Sequence, residues 1–263
     1  MPEQPQKSLQ QTPADDDDLP PALAAHEGPL PRYAELHCIT NFSFQRGASH
    51  PHELVQRAYN LGYEALAITD ECSVSGVVQA LVGLKDHLQE AARLEADDPG
   101  TRRVRPFKLM PGSEFALPGG RVVALARNLF GWGDMCQFIT AARMQAPKGE
   151  YCVSWEASDW SLLAGCERIW APDRDAPDAM DLQALCAGLR QAREHLGERL
   201  WLGVALPGEL GDELWLDLLR QAGAQVGVPL VATCGVVMHK RSRKNLHDVI
   251  TAVREGKSVA ECG

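Results

Sequence analysis

No two of the eight cysteines in this 263-residue chain are close enough to form a Cys-x-x-Cys pair. Cys38, Cys72, Cys136, Cys152, Cys166, Cys186, Cys234 and Cys262 are scattered, which argues against zinc fingers. In a domain of this size they fit reduced thiols better than a disulfide framework. Also missing is a basic segment followed by an apolar run near the start, the pattern of a secretory signal. No stretch approaches roughly 18 uninterrupted apolar residues, so nothing reads as a membrane span. These absences point to the cytoplasm. An excess of basic charge is lacking too, since the formal net charge is −9. Six of the acidic residues and only one basic residue lie in positions 1–31, and the remainder is nearly balanced. Global charge therefore gives no support for non-specific nucleic-acid binding, and only a local basic patch could provide it.

What the chain does have is apolar content, 45% of residues, enough to fill a large core. Positions 1–31 are the exception. They hold seven of the seventeen prolines, a glutamine-rich start and the run Asp15–Asp18, and are expected to form a disordered tail. From residue 32 onward, short apolar runs alternate with amphipathic segments. YAELHCIT reads as a strand. HPHELVQRAYNLG reads as a helix with Pro51 in its first turn, Leu54, Val55, Ala58, Tyr59 and Leu61 on one face, and Gly62 as its stop. EALAITD then reads as a buried strand and VSGVVQALVGLKDHLQEAARL as a long helix. The same texture continues through FKLMPGSEF, RVVALARN, the helix around GDMCQFITAARM, ERIWAPD, MDLQALCAGLRQAREHLG, LWLGVAL, DELWLDLLRQAGAQVG, PLVATC and RKNLHDVITAVREG. Between Gly149 and Gly165, aromatic residues sit among polar ones without period, and only a short helix near Asp159–Leu163 is predicted.

Strands apolar on both faces and separated by helices indicate a parallel sheet covered on both sides, and six or seven such units favour closure into a barrel. In a parallel barrel the chemistry collects at the carboxyl ends of the strands. Four such ends can be read: His37, the pair Asp70-Glu71, Glu114, and Cys234-Gly235. Each has two readings. His37 is a metal ligand or a histidine hydrogen-bonded at a strand end. Asp70 is a ligand or a cap on the following turn. Glu114, between Ser113 and Phe115, is expected to be buried and so needs a partner, for which Arg46 and Arg121 are available. The run His239–Lys244 offers Lys240, Arg241, Arg243 and Lys244 as a DNA or domain contact, or as a solvated loop.

These same residues carry a resemblance. ELHCITNFSFQRGAS, ALAITDECSVSGVV, PGSEF and PLVATCGVVMHKRSRKNLHDVITAVREG together resemble the amino-terminal PHP (polymerase and histidinol phosphatase) domain of bacterial C-family DNA polymerases, of the error-prone, ImuC type. The resemblance runs from about Tyr33 to the last residue and is weakest from Gly149 to Leu206. It implies a distorted seven-stranded βα barrel over residues 32–263, upstream of the polymerase core. Active members hold up to three metal ions and hydrolyse phosphoesters, including 3′ ends of DNA.

Carried over position by position, the family's first His-x-His becomes His37 and Ile39. A ligand expected before the glycine of the next loop falls on Arg46. The Asp-His pair becomes Asp70-Glu71, and the bridging glutamate is Glu114. A histidine expected at the start of the following strand falls on Arg121, and the late Asp-x-His becomes Gly235, Val236 and Val237. A metal needs three or four protein ligands, so at most one weakly bound divalent ion is expected and no catalytic residue. The resemblance thus implies a structural and interaction module without a cofactor of its own. The whole polypeptide would carry out lesion-tolerant DNA synthesis with magnesium at its polymerase core, with ImuB and the sliding clamp as partners and DNA bound through the full-length protein. The alternative is an active metal-dependent phosphoesterase or 3′-5′ exonuclease.

Overall fold

The alternation of apolar runs and amphipathic segments resolves, among the described residues, into seven strands and six α-helices. The computed structural model describes residues 32–97 and 104–262, so the expected tail over 1–31 lies outside the described residues. The strands are β1 (Ala34–Glu35), β2 (Ala65–Ile68), β3 (Lys108–Leu117), β4 (Gly120–Ala126), β5 (Cys166–Pro172), β6 (Leu200–Val204) and β7 (Leu230–Ala232). They form one sheet in chain order. The helices are α1 (Pro51–Asn60), α2 (Ser75–Asp97), α3 (Leu129–Met144), α4 (Leu182–Leu196), α5 (Asp212–Val226) and α6 (Lys244–Glu255).

The sheet nearly closes on itself. Cys38 bridges Val236 in parallel sense. Backbone bonds run from Ile39 N–H to the Val236 carbonyl (2.9 Å), from Val236 N–H to the His37 carbonyl (2.9 Å) and from Ala48 N–H to the Val237 carbonyl (2.8 Å). The result is the expected seven-stranded, helix-covered α/β barrel. Ala67, Val123, Leu125 and Ile169 fill its bore, with Leu36, Met110 and Val231 packed against them. Outside the sheet, α1 and α2 bring Leu54, Val55, Ala58, Ala80 and Leu84 onto Leu66 and Ile68 of β2. A larger cluster over β3 to β6 takes in Phe138 of α3, Leu189 of α4 and Leu219 of α5. Helix α1 begins at Pro51 as expected, and buries Leu54, Val55, Ala58 and Tyr59. Leu61 falls at its end and is only half-buried.

Three expectations need correction. The sheet is mixed: β1, β2 and β3 run parallel, as do β5, β6 and β7, but β4 is antiparallel to both its neighbours. Only Pro118 and Gly119 separate β3 from β4, and two residues cannot make the crossover a parallel pair requires. Second, YAELHCIT is regular strand only at Ala34–Glu35. There the Glu35 carboxylate accepts the backbone N–H groups of His37 (2.8 Å) and Cys234 (3.1 Å), so a side chain serves where ladder carbonyls would. Third, Glu114 is not at a strand end but inside the ten-residue β3. It reaches the carboxyl-end level of the barrel because β2 stops at Ile68 while β3 runs on, and the next bridge joins Glu71 to Glu114.

Candidate functional site

Three segments meet at the carboxyl mouth of the barrel, and each has a local reason to be there. The loop after β1 is drawn closed by the Asn41 N–H to Ser49 carbonyl bond (2.9 Å) and turned at Gln45, whose φ is +60°. This carries Arg46 over the mouth. The loop after β2 is anchored by Asp70, a fully buried carboxylate. It accepts the Thr40 N–H (2.8 Å), the Thr40 hydroxyl (3.0 Å) and the Ser43 hydroxyl (2.8 Å). It also accepts a backbone bond from Gly76 in the first turn of α2. A β-carbon on Gly76 would lie 2.3 Å from Asp70 Oδ2, which is why the approach needs glycine. Burial pushes the Asp70 carboxyl up, and these hydrogen bonds oppose it. Asp70 is therefore a loop anchor and helix cap, its oxygens taken up by Thr40, Ser43 and Gly76.

Glu114 is the centre of the cluster, with its side chain 1% exposed. Its Oε2 lies 2.5 Å from His37 Nε2. Its Oε1 accepts Arg46 Nη1, and Arg121 Nε stands 3.5 Å from the same oxygen. Arg121 is in position because β4 pairs with β3 in a register that sets Val123 opposite Glu114, and Arg121 lies two residues along on the same face. Arg46 Nη1 also donates to Glu71 Oε2 at 2.6 Å. Glu71 Oε1 accepts the Tyr151 hydroxyl at 2.7 Å. Burial would raise the Glu114 carboxyl, but His37, Arg46 and Arg121 together hold it down at about 2.

Of the positions named from the sequence, His37, Arg46, Glu71, Glu114 and Arg121 converge here. Ile39 is buried hydrocarbon at 2% exposure, and Val237 contributes its carbonyl to the closing seam. Gly235 has φ +62°, and a β-carbon there would stand 3.8 Å from His37 Nδ1. Elsewhere, Arg243 pairs with Glu53 and Lys244 with Asp248 (2.7 Å), while Lys240 and Arg241 make no ion pair among the described residues. Ser49 and His239 hydrogen-bond to each other at 2.7 Å beside that pair. Sequence reasoning missed Tyr151, Arg143, Thr40 and Ser43. Arg143 donates to the carbonyls of Glu71 and Cys72 (3.2 Å each) and lies over the Tyr151 ring. No local signal marks Tyr151, 80 residues from its partner, although Thr40 and Ser43 lie within the quoted first motif.

Chemically, the cluster is closed on itself. Glu114 offers both oxygens to protein donors, Glu71 offers both of its own, and His37 Nε2 faces a carboxylate. Among the described residues, no group of three or more His, Cys, Asp or Glu side chains is arranged to hold a metal ion. A two- or three-ion centre does not fit this donor set, because two of its neighbours are guanidinium groups.

Fold and mouth together define a seven-stranded, helix-covered barrel of the PHP-domain type. The PHP domain pattern matches residues 35–172, and the chain belongs to that family. It is 42% identical over 248 residues to the error-prone DNA polymerase of Ralstonia pickettii strain 12J, covering 89% of this chain and 21% of that protein. It is 42% identical over 250 residues to the error-prone DNA polymerase of Ralstonia nicotianae, with the same coverage. The chain thus spans about a fifth of the length of these relatives. A solved amidohydrolase from Chromobacterium violaceum, with sulfate and no metal, superposes with a TM-score of 0.50 at 12% identity, covering 78% of this chain and 87% of that one. That likeness concerns the fold alone. No helix among the described residues is long and apolar enough to cross a membrane.

Proposed function

We propose that this chain is the non-catalytic PHP module of an error-prone DNA polymerase of the ImuC type. The identity to error-prone polymerases supports the polymerase part of the reading. The observation that carries the non-catalytic part is that both Glu114 oxygens are taken up by protein groups, Oε2 by His37 Nε2 and Oε1 by Arg46 Nη1. Hydrolysis by such a barrel needs metal-activated water and a cation to hold the phosphate, and this mouth offers neither open carboxylate nor paired imidazoles. In the reading, the whole protein synthesises DNA with magnesium at a polymerase core beyond this domain. ImuB and the sliding clamp are its partners, it works in the cytoplasm during the damage response, and Lys240 and Arg241 are free to meet DNA phosphates or a neighbouring domain.

The test is a manganese- and zinc-supplemented assay for nucleotide release from labelled 3′ ends and for phosphodiester cleavage, alongside His37→Ala. No release above background is expected from either protein. Release by the native chain that disappears in a folded His37→Ala variant would establish the active phosphoesterase or exonuclease instead.

A further inference from the structure

At the amino end of the barrel, opposite the mouth, three apolar clusters fail to meet and leave a cavity of about 690 Å³. The bore lines it with Leu36, Met110 and Val231, the cluster of α1, α2 and β2 with Val77 and Leu109, and the cluster over β3 to β6 with Trp132 of α3. It reaches both faces of the sheet because the wall is open there. The β3–β4 ladder begins only at Gly112 and Leu125, so Lys108–Pro111 pairs with β2 alone among the described residues. β4 ends at Ala126, and the chain turns away into α3, which Asn128 caps by accepting the Gly131 N–H (3.0 Å). We propose that this cavity is a binding site for an amphiphilic carboxylate, a flexible aliphatic chain with one anionic head.

Size, shape and charge select that class. The volume falls within the roughly 300–1,000 Å³ of small-molecule sites, and the lining is mainly apolar. The space bends round the unpaired edge of β3, since Leu109 and Met110 are neighbours on opposite faces of the strand. A flexible chain can follow that bend, and a rigid ring system cannot. At the rim, Glu167 has both oxygens occupied, by Arg127 Nε and Trp201 Nε1 (3.0 Å each). Lys108 lines the cavity, is exposed and enters no ion pair among the described residues, so one cation is left for an anionic head. An unpaired edge also invites a peptide strand, but this edge suits one poorly. The Lys108 N–H is taken by the Glu64 carbonyl (3.0 Å) and so faces β2. The alternate residues, Leu109 and Pro111, therefore turn their backbone to the gap, and Pro111 has no N–H to give. The proposal does not depend on whether the mouth hydrolyses anything, because the cavity is at the other end of the barrel from Glu114.

The experiment titrates the native chain with octanoate, decanoate and dodecanoate, each below its critical micelle concentration, and follows binding by calorimetry. A dodecanoate brominated at its terminal carbon serves as a quencher of tryptophan fluorescence. Dodecanoate should bind once per chain, and each added methylene should tighten binding about fourfold. At dodecanoate ~100-fold above its Kd the melting temperature should rise by roughly 5–10 °C. The bromine should quench Trp132 and Trp201, so Trp132→Phe/Trp201→Phe should lose the quenching and keep most of the binding. Lys108→Glu should weaken dodecanoate by roughly fivefold and leave dodecanol unaffected. Val231→Phe, which fills part of the bore, should weaken dodecanoate more than octanoate. The proposal is overturned if the native chain binds no dodecanoate or several molecules of it, if affinity does not grow with chain length, or if dodecyltrimethylammonium binds equally well. It is also overturned if the native chain sediments as a dimer that dodecanoate dissociates, since a second copy is then the occupant.

Discussion

At the scale of single residues, the acid stability of this domain should be written in two groups. Glu114, ordinarily near 4.5, is held at about 2 by His37, Arg46 and Arg121 against the cost of burial. A carboxyl held below its ordinary value stabilises the fold fully above that value, and the contribution drains away as pH falls from 4.5 towards 2. His239, ordinarily near 6.5, is pushed down to about 4, chiefly by burial, with Arg243 and Lys240 acting against protonation and Glu53 favouring it. Because the unfolded chain takes up that proton first, stability is lost as pH falls from 6.5 towards 4. Asp70, raised by burial, acts in the opposite sense and favours the folded state in acid. Urea midpoints measured from pH 7.5 to 3 should therefore fall in two stages. His239→Asn should flatten the upper stage only. Glu114→Gln should flatten the lower one and cost about 3–5 kcal/mol at neutral pH, because it removes the buried carboxylate that pairs with His37 and the largely buried Arg46. Unchanged slopes in both variants would show that other groups govern the acid limb.

Among the elements, α6 is the one whose apolar face has little beneath it. Leu246, Val249 and Val253 recur at helical spacing and are 42%, 47% and 61% exposed, and Ala252 is its only buried residue. Changing Leu246 and Val253 together to serine should leave the melting temperature of this chain within about 4 °C, since surface changes of this kind stay within roughly 0.5 kcal/mol each. A larger loss would mean that the stripe is packed in solution. The same helix shows what was legible beforehand. The helix was readable in RKNLHDVITAVREG because a 3.6-residue repeat is a local signal, whereas Leu129–Met144 shows little such repeat. The β3–β4 hairpin was harder. Both strands were readable, but their direction depended on noticing that Pro118 and Gly119 leave no room for a crossover. Within residues 149–165 only the short helix near Asp159–Leu163 was readable, and it is present as a single 3₁₀ turn at Trp160–Leu163. Their order comes from contacts distant in sequence: Trp155 against Trp170 and His195, Trp160 against Phe138, and Tyr151 against Glu71. In the site, the residue types that depart from the family pattern were visible in the sequence. Which atom of Arg46 would touch which carboxylate depended on the fold.

For the molecule as a whole, the decisive seam is the one between the first and last strands. β1 and β7 are the two shortest strands of the sheet, and neither names the other as a ladder partner. Closure instead falls to the residues just beyond them, with Val236 at the centre, accepting from Ile39 N–H and donating to the His37 carbonyl. That seam fixes the backbone of His37 and Ile39, and so the floor on which the Glu114 cluster stands. Val236→Pro removes the one donor while keeping an apolar side chain of similar bulk. The orphaned His37 carbonyl alone should cost about 1–3 kcal/mol. The consequence should also spread beyond the seam, because opening β1 from β7 exposes the bore at Leu36 and Val231. Hydrogen exchange is the measurement that separates a local from a global effect. In Val236→Pro the amides of Ile39 and Ala48 should exchange faster, by tenfold or more for each ~1.4 kcal/mol lost. Those of β4 and β5, paired along their whole lengths in the hairpin half of the sheet, should keep most of their protection. Uniform loss across both halves would mean the barrel opens as one cooperative unit. Unchanged protection at Ile39 and Ala48 would mean that Val236 does not hold the seam.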